Sequence, residues 1–192
     1  MNEAIRQRWD QRYAETITEQ RPVQVLTDYL HLLPASGQVL DLACGLGVNA
    51  LLLAPRGLTT WAWDISPVAI ARLDQAARAA GLVIHTEVRD VTLQPPAAER
   101  FDVIVVSRFL ERSLSPLLQA ALRPGGLLFY QTFTKIRTAA ASGPSNSAFL
   151  LDDNELLHLF APLKVRVYRE EGLIGDTRRG FRNEAMLVAQ KE

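Results

Sequence analysis

The chain has 192 residues, 48% of them hydrophobic and 22% charged, the make-up of an ordinary globular protein long enough for one full α/β domain and too short for two. Lys+Arg and Asp+Glu both number 21, so the formal net charge is zero, which argues against a strongly basic nucleic-acid binder. A single cysteine excludes an intrachain disulfide and a cysteine-cluster metal site; no metal is expected.

In chain order, residues 2–17 read as a helix whose stripe is Ile5, Trp9, Tyr13 and Ile17. Pro22 suits the first turn of a second helix reaching residue 33, which Pro34 ends. After a turn at Ser36-Gly37, strands and helices alternate. Strands are predicted over 39–43, 59–64, 83–88, 101–106, 126–133, 165–170 and 185–190, with helices over 48–55, 67–80, 116–122 and 153–160. Ser66 and Pro67 supply an N-cap and a first helical residue, and Gly81 a stop. This alternation implies a doubly wound, largely parallel α/β sheet of seven strands with helices on both faces. The last two strands, with no helical pattern between them, should pair antiparallel. Residues 134–151, rich in small and polar residues, form a loop long enough to suggest function. The whole chain is expected to be one domain, with 1–36 a helical extension or lid and 37–192 the Rossmann-like core. The N-terminus lacks the apolar run of a secretory signal, and no apolar run reaches the ~20 residues that span a bilayer. A soluble cytoplasmic protein without membrane or nucleic-acid partners, a monomer or weak homodimer, is the expectation.

The densest signal is Val39-Leu-Asp-Leu-Ala-Cys-Gly-Leu-Gly47. An apolar strand running into Gly45 and Gly47 and then a helix forms a mononucleotide cradle, because glycine permits positive φ and lets a ligand approach the backbone. Gly-x-Gly-x-x-Ala, completed by Ala50, also occurs in dinucleotide enzymes, so an NAD(P)-dependent oxidoreductase is the first rival. Asp41 before the glycines suits a cationic amine better than a pyrophosphate. Asp64 ends the second strand, where an acid accepts hydrogen bonds from ribose hydroxyls. Asp90 follows the third strand, where a carboxylate can meet an exocyclic adenine amine, and the N–H of Val91 can reach a ring nitrogen.

Together these residues resemble the class I S-adenosylmethionine-dependent methyltransferases over about residues 39–133, with a less specific continuation to residue 190. Trp9-Asp10-Gln11-Arg12-Tyr13, the segment from Phe109 to Leu114, Gln131-Thr132-Phe133 and the segment from Asn146 to Leu151 resemble the small bacterial tellurite-resistance-type and thiopurine-type group. The resemblance implies a seven-stranded sheet with an antiparallel last strand, and S-adenosyl-L-methionine as the cofactor, with S-adenosyl-L-homocysteine as its product. It implies that Asp41 and the glycines hold the methionine end, Asp64 the ribose and Asp90 the adenine. The cofactor-binding residues expected are Asp41, Ala43, Cys44, Gly45, Gly47, Asn49, Asp64, Ile65, Asp90, Val91 and Ser107. Candidates on the substrate side are Trp9, Tyr13, Arg108, Arg112 and Asn146. For Trp9 and Tyr13 the alternatives are plain packing and a lid; for Arg108 and Arg112, an anionic substrate and solvated charge.

The turn Ser107-Arg108-Phe109-Leu110 lacks the Asn/Asp-Pro-Pro-aromatic pattern of enzymes that methylate nucleobase amines. A small-molecule acceptor is therefore expected. His31, His85 and His158 are isolated and offer no acid–base motif, so proximity and desolvation should dominate the chemistry. A methyltransferase-like binding module without turnover is the second rival.

Overall fold

The computed structural model describes residues 3–16, 21–139 and 143–192. Its centre is a seven-stranded sheet in the order β3-β2-β1-β4-β5-β7-β6. The strands are β1 (Gly37–Leu42), β2 (Leu58–Asp64), β3 (His85–Val88), β4 (Phe101–Ser107), β5 (Leu122–Phe133), β6 (Lys164–Arg169) and β7 (Glu184–Gln190). The pairings from β3 through β5 are parallel. β7 inserts between β5 and β6 and runs antiparallel to both. The expected sheet, with its reversed last strand, is the one observed.

Alternation along β1 decides which layer covers which face. Val39 points to one side with Val105, Phe129 and Val188, packed under Val25, Leu26 and Leu53. These come from α2 (Gln24–Asp28) and α3 (Val48–Leu53). Leu40 and Leu42 point the other way with Ile104, Leu128 and Leu187, against Leu118, Leu156 and Phe160. Those belong to α5 (Ser115–Ala121) and to α6 (Glu155–Leu159) with the residue after it. Helix α4 (Pro67–Ala79) joins the α3 side through Ala50, Ala62, Ile70 and Leu73. Each fully buried leucine or isoleucine here contributes about 1.5–3 kcal/mol relative to exposure. Helix α1 (Glu3–Glu15) has no buried residue and lies against α4 through polar contacts.

Several expected boundaries move, each for a local reason. The helix predicted over 22–33 is only α2, followed by a 3-10 turn at Leu30–Leu32, because Tyr29 leaves helical geometry at φ −119°. The third strand begins at His85, with Val83 exposed before it. The fifth begins at Leu122: Arg123 to Gly126 are carried as a bulge between the Phe101–Leu122 and Val103–Leu127 pairs. Asn154, at φ 60°, delays α6 to Glu155. Ile17, the last member of the N-terminal stripe, lies outside the described residues. The 134–151 loop is closed at its base by a parallel bridge between Thr134 and Leu151. No described helix is long and apolar enough to cross a membrane.

The sheet order reverses direction between β1 and β4, so the crevice beyond their carboxyl ends is the place where α/β sheets of this kind hold ligands. Ser66 connects that edge to α4: its hydroxyl oxygen accepts the Ala69 N–H at 3.2 Å and caps the helix. Replacing this cap, Ser66→Ala, is expected to destabilise the protein by about 1 kcal/mol in urea unfolding, the ordinary cost of a lost N-cap.

Candidate active site at the carboxyl edge of the sheet

Asp41 is a charge inside an apolar strand and is fully buried. Its oxygens accept the Ala50 N–H at 3.1 Å and the Asn49 Nδ2 at 3.4 Å, both in the first turn of α3, where backbone donors lack intrahelical partners. Burial nevertheless dominates and pushes its carboxyl up to about 7. Asn49 is a brace. Its Nδ2 also donates to Ser107 Oγ at 3.1 Å, and its Oδ1 accepts the Val23 N–H at 2.9 Å. One amide thereby links β1, the end of β4 and the start of α2.

The turn between β1 and α3 uses three left-handed residues: Ala43 at φ 54°, Gly45 at φ 54° and Gly47 at φ 70°. A Cβ on Gly47 would lie 2.4 Å from the Leu73 methyls, so a larger residue would have to displace them and also hold a left-handed backbone. A Cβ on Gly45 would lie 2.9 Å from the Tyr13 hydroxyl. Ala43 accepts the same backbone region without glycine's freedom, at a cost of about 1–2 kcal/mol. Cys44 is buried beneath the turn, where desolvation raises its thiol pKa, and its N–H donates to the Trp63 carbonyl at 3.0 Å. It is an inert small residue there.

Asp64 fastens the turn from the neighbouring strand. One carboxylate oxygen accepts the Gly45 N–H at 2.8 Å and the other accepts the Ser66 N–H at 2.9 Å. Burial raises its pKa, and those two N–H groups oppose the rise. Ile65 follows, half-buried. Asp90, past the end of β3, is buried beside Val91 and accepts both the N–H and the hydroxyl of Thr92, at 3.1 and 2.6 Å. Three carboxylates thus stand in a row at the ends of β1, β2 and β3.

Helix α1 lies against the glycine turn and the start of α4. Ser66 Oγ donates to Asp10, and Arg72 of α4 donates to the carbonyls of Tyr13 and Thr16, the latter at 2.9 Å. Trp9 stacks on Tyr13 with ring centroids 5.5 Å apart. Burial, with Asp64 and Asp41 close by, raises the Tyr13 phenol pKa, so it stays neutral over the turn.

The remaining candidates divide. Arg108, at φ 52°, donates from Nε to Glu184 at 3.1 Å. Glu184 also accepts from Gln131 Nε2, and Gln131 Oε1 accepts the Val25 N–H at 2.7 Å. Arg112 is held elsewhere: it pairs with Glu155 and donates to the carbonyls of Ala148 and Leu150 at 2.7 and 2.9 Å. Asn146 caps the short turn Ser147–Phe149 by accepting the Ala148 N–H at 2.9 Å. The geometry therefore gives Arg112 and Asn146 the work of shaping the 134–151 loop. Gln131, Glu184, Asp10 and Arg72 are not among the candidates that the sequence points to. Gln131 has a visible signal, a polar residue in the middle of an apolar strand; the other three look like surface charges.

Known proteins share this architecture. The family described as "Methyltransferase domain" matches residues 10–169. A "Ubiquinone biosynthesis O-methyltransferase" of Azotobacter vinelandii is 31% identical over 145 residues, 69% of this chain and 61% of the relative. The protein of the same name from Stutzerimonas stutzeri is 29% identical, covering 78% of this chain and 68% of the relative. The chain thus spans about three fifths of the length of the Azotobacter relative. Among solved structures, TehB from Haemophilus influenzae superposes with a TM-score of 0.70 at 24% identity, covering 97% of this chain and 67% of that one. An S-adenosylmethionine-dependent methyltransferase from Methanosarcina mazei gives 0.68 at 20% identity, covering 90% and 99%. These two likenesses establish the fold.

Two outcomes are expected. Ala43→Gly relieves the left-handed strain and is partly offset by the freer unfolded chain, so stability should rise by about 0.5–1 kcal/mol, read as a higher thermal midpoint. For Asp41, the folded value of about 7 lies above the 3.8 of an exposed aspartate. Between those values the folded chain holds a proton that the unfolded chain gives up, so this group's stabilisation is complete below the lower value and fades as pH rises through the higher. Denaturant unfolding at pH 5 and pH 8 should show a smaller loss on alkalinisation in Asp41→Asn than in the parent.

Proposed function

Because the chain belongs to the methyltransferase-domain family, we propose that it binds S-adenosyl-L-methionine at the carboxyl edge of β1–β3 and transfers the methyl group to a hydroxyl oxygen of a small molecule. The observation that carries the cofactor half is the row Asp41, Asp64 and Asp90 flanking a left-handed turn whose Gly45 lies directly under the Tyr13 ring. The oxygen acceptor is taken from the name of the O-methyltransferase relatives.

The residues fit this cofactor. Asp41 places a buried carboxyl beneath the turn that would hold the cationic methionine end. Each Asp64 oxygen accepts one backbone N–H, and an ionised carboxylate has acceptor capacity beyond that for ribose hydroxyls. Asp90 and Val91 suit the adenine edge, and Ala43, Cys44 and Ile65 shape the wall by backbone and bulk. Asn49 and Ser107 act through Asp41, fixing its position relative to β4. The cofactor supplies the activated methyl on a sulfonium, so the protein's part is to orient the acceptor and keep water out. Trp9 and Tyr13 suit the exclusion of water, because α1 is a lid held by exchangeable polar contacts and the Tyr13 ring covers Gly45. A nicotinamide enzyme would have no use for Asp41 or Asp90 in these positions.

The test is a thermal shift with S-adenosylhomocysteine, S-adenosylmethionine, NAD and NADP. At 100 times the dissociation constant, S-adenosylhomocysteine should stabilise the chain by about 2.7 kcal/mol. Asp64→Ala and deletion of residues 1–16 should each weaken that binding. A response to NAD but not to S-adenosylhomocysteine would overturn the reading; unchanged affinity without residues 1–16 would reduce the lid to packing.

A further inference from the structure

At the carboxyl ends of β4 and β5 lies a cleft of about 460 Å³. Its walls come from the start of α2, the residue after β4, and the 171–183 connection that leads into β7. Three arginines line it, Arg108, Arg178 and Arg182, against one carboxylate, Glu184. Each arginine also has a carboxylate beside it, Glu184 for Arg108, Asp176 for Arg178 and Glu171 for Arg182, so what distinguishes them is which donors stay open.

The arginines differ in what their donors already hold. Arg182 is nearly buried, and all its N–H groups go to main-chain carbonyls: Arg179, Glu171, Gly172, Ile174 and Asp176, at 2.6–3.2 Å. It is the post around which the 171–183 connection winds; the Glu171 carboxylate lies 3.8 Å from its Nη2, and it keeps no open donor. Arg108 uses only Nε, toward Glu184, and its side chain is 56% exposed. Glu184 is itself fixed by Gln131, so Arg108 is oriented at its root while the two Nη groups have no partner among the described residues. Arg178 turns Nε and Nη2 to Asp176 and is otherwise exposed. Arg108 stands in the left-handed backbone region, as does Asn183 at φ 69° on the opposite wall, and non-glycine residues held there concentrate at functional sites.

We propose that this cleft receives the acceptor through an anionic group, a carboxylate or comparable oxyanion, docked on the Arg108 Nη donors with Arg178 at the mouth. A guanidinium with a fixed root and a free fork suits bidentate recognition of such a group. Arg108 is chemically adjacent to the catalytic edge: it follows Ser107, whose hydroxyl shares Asn49 with Asp41. An acceptor anchored at Arg108 thus holds its anionic end in the cleft and its hydroxyl toward the glycine turn. Glu184 and Gln131 are positioning residues, aligning Arg108. This rests on the methyl-transfer reading above.

The experiment is isothermal titration of the S-adenosylhomocysteine-saturated protein with salicylate, 3-hydroxybenzoate and 4-hydroxybenzoate, and with the neutral methyl ester of each. At least one acid should bind tenfold or more tightly than its ester. That preference should shrink in 0.5 M salt, collapse in Arg108→Gln and fall partly in Arg178→Gln. S-adenosylhomocysteine affinity, measured separately, should be unchanged in both variants, which shows that they fold. Equal binding of acids and esters, no binding of any acid, or a preference that survives Arg108→Gln overturns the anionic acceptor. Failure of S-adenosylhomocysteine to bind the parent protein overturns the methyl-transfer reading instead.

Discussion

The site depends first on how one buried carboxylate is satisfied. Asp64 accepts the N–H of Gly45 with one oxygen and of Ser66 with the other. Without those donors a charge at 4% exposure would be untenable, since desolvation of an unpaired carboxylate costs far more than a domain's net stability. With them, three pieces share one anchor: the β1–α3 turn, the cap of α4, and, through Ser66 and Asp10, the N-terminal helix. The position of the turn, the start of a helix and the cover over both are therefore coupled. Asp41 does the same on the next strand with the help of Asn49.

Two side-chain amides tie the other half to this frame. Asn49 Oδ1 takes the Val23 N–H and Gln131 Oε1 takes the Val25 N–H, so the first turn of α2 is held from below by α3 and by β5. The remaining atom of each amide reaches toward the cleft side, Asn49 to Ser107 and Gln131 to Glu184. Donors that a short helix would leave open at its N-terminus become the fixed points between the glycine turn and the arginine-lined cleft.

The glycine-turn half of the candidate site is legible in the sequence because it is written in local chemistry. Asp41 next to the glycines, Asp64 at a strand end and Ser66-Pro67 at a helix start are each a short-range pattern whose physical reason is visible without the fold. Ala43 is the exception: alanine gives no hint of a left-handed backbone, and only the turn around it demands one. Arg112 and Asn146 have the right residue types for substrate contacts, yet their polar atoms close the loop's own backbone. Glu184 and Arg108 are far apart in the chain and meet only because β7 enters the sheet next to β5. Such pairing depends on topology, which periodicity does not encode. The same holds for Arg182, which carries no signal in the sequence and organises a loop.

The reversal of β7 has a consequence for the loop that leads into it. Running against its neighbours, β7 brings its first residue, Glu184, to the edge where the parallel strands finish. The connection before it can therefore reach the reaction edge while remaining outside the sheet. A change in its length would leave the register of β1, β2 and β4 untouched, because none of them pairs with β7. One strand running backwards thus lets a loop border the carboxyl edge without interrupting the parallel strands that form it.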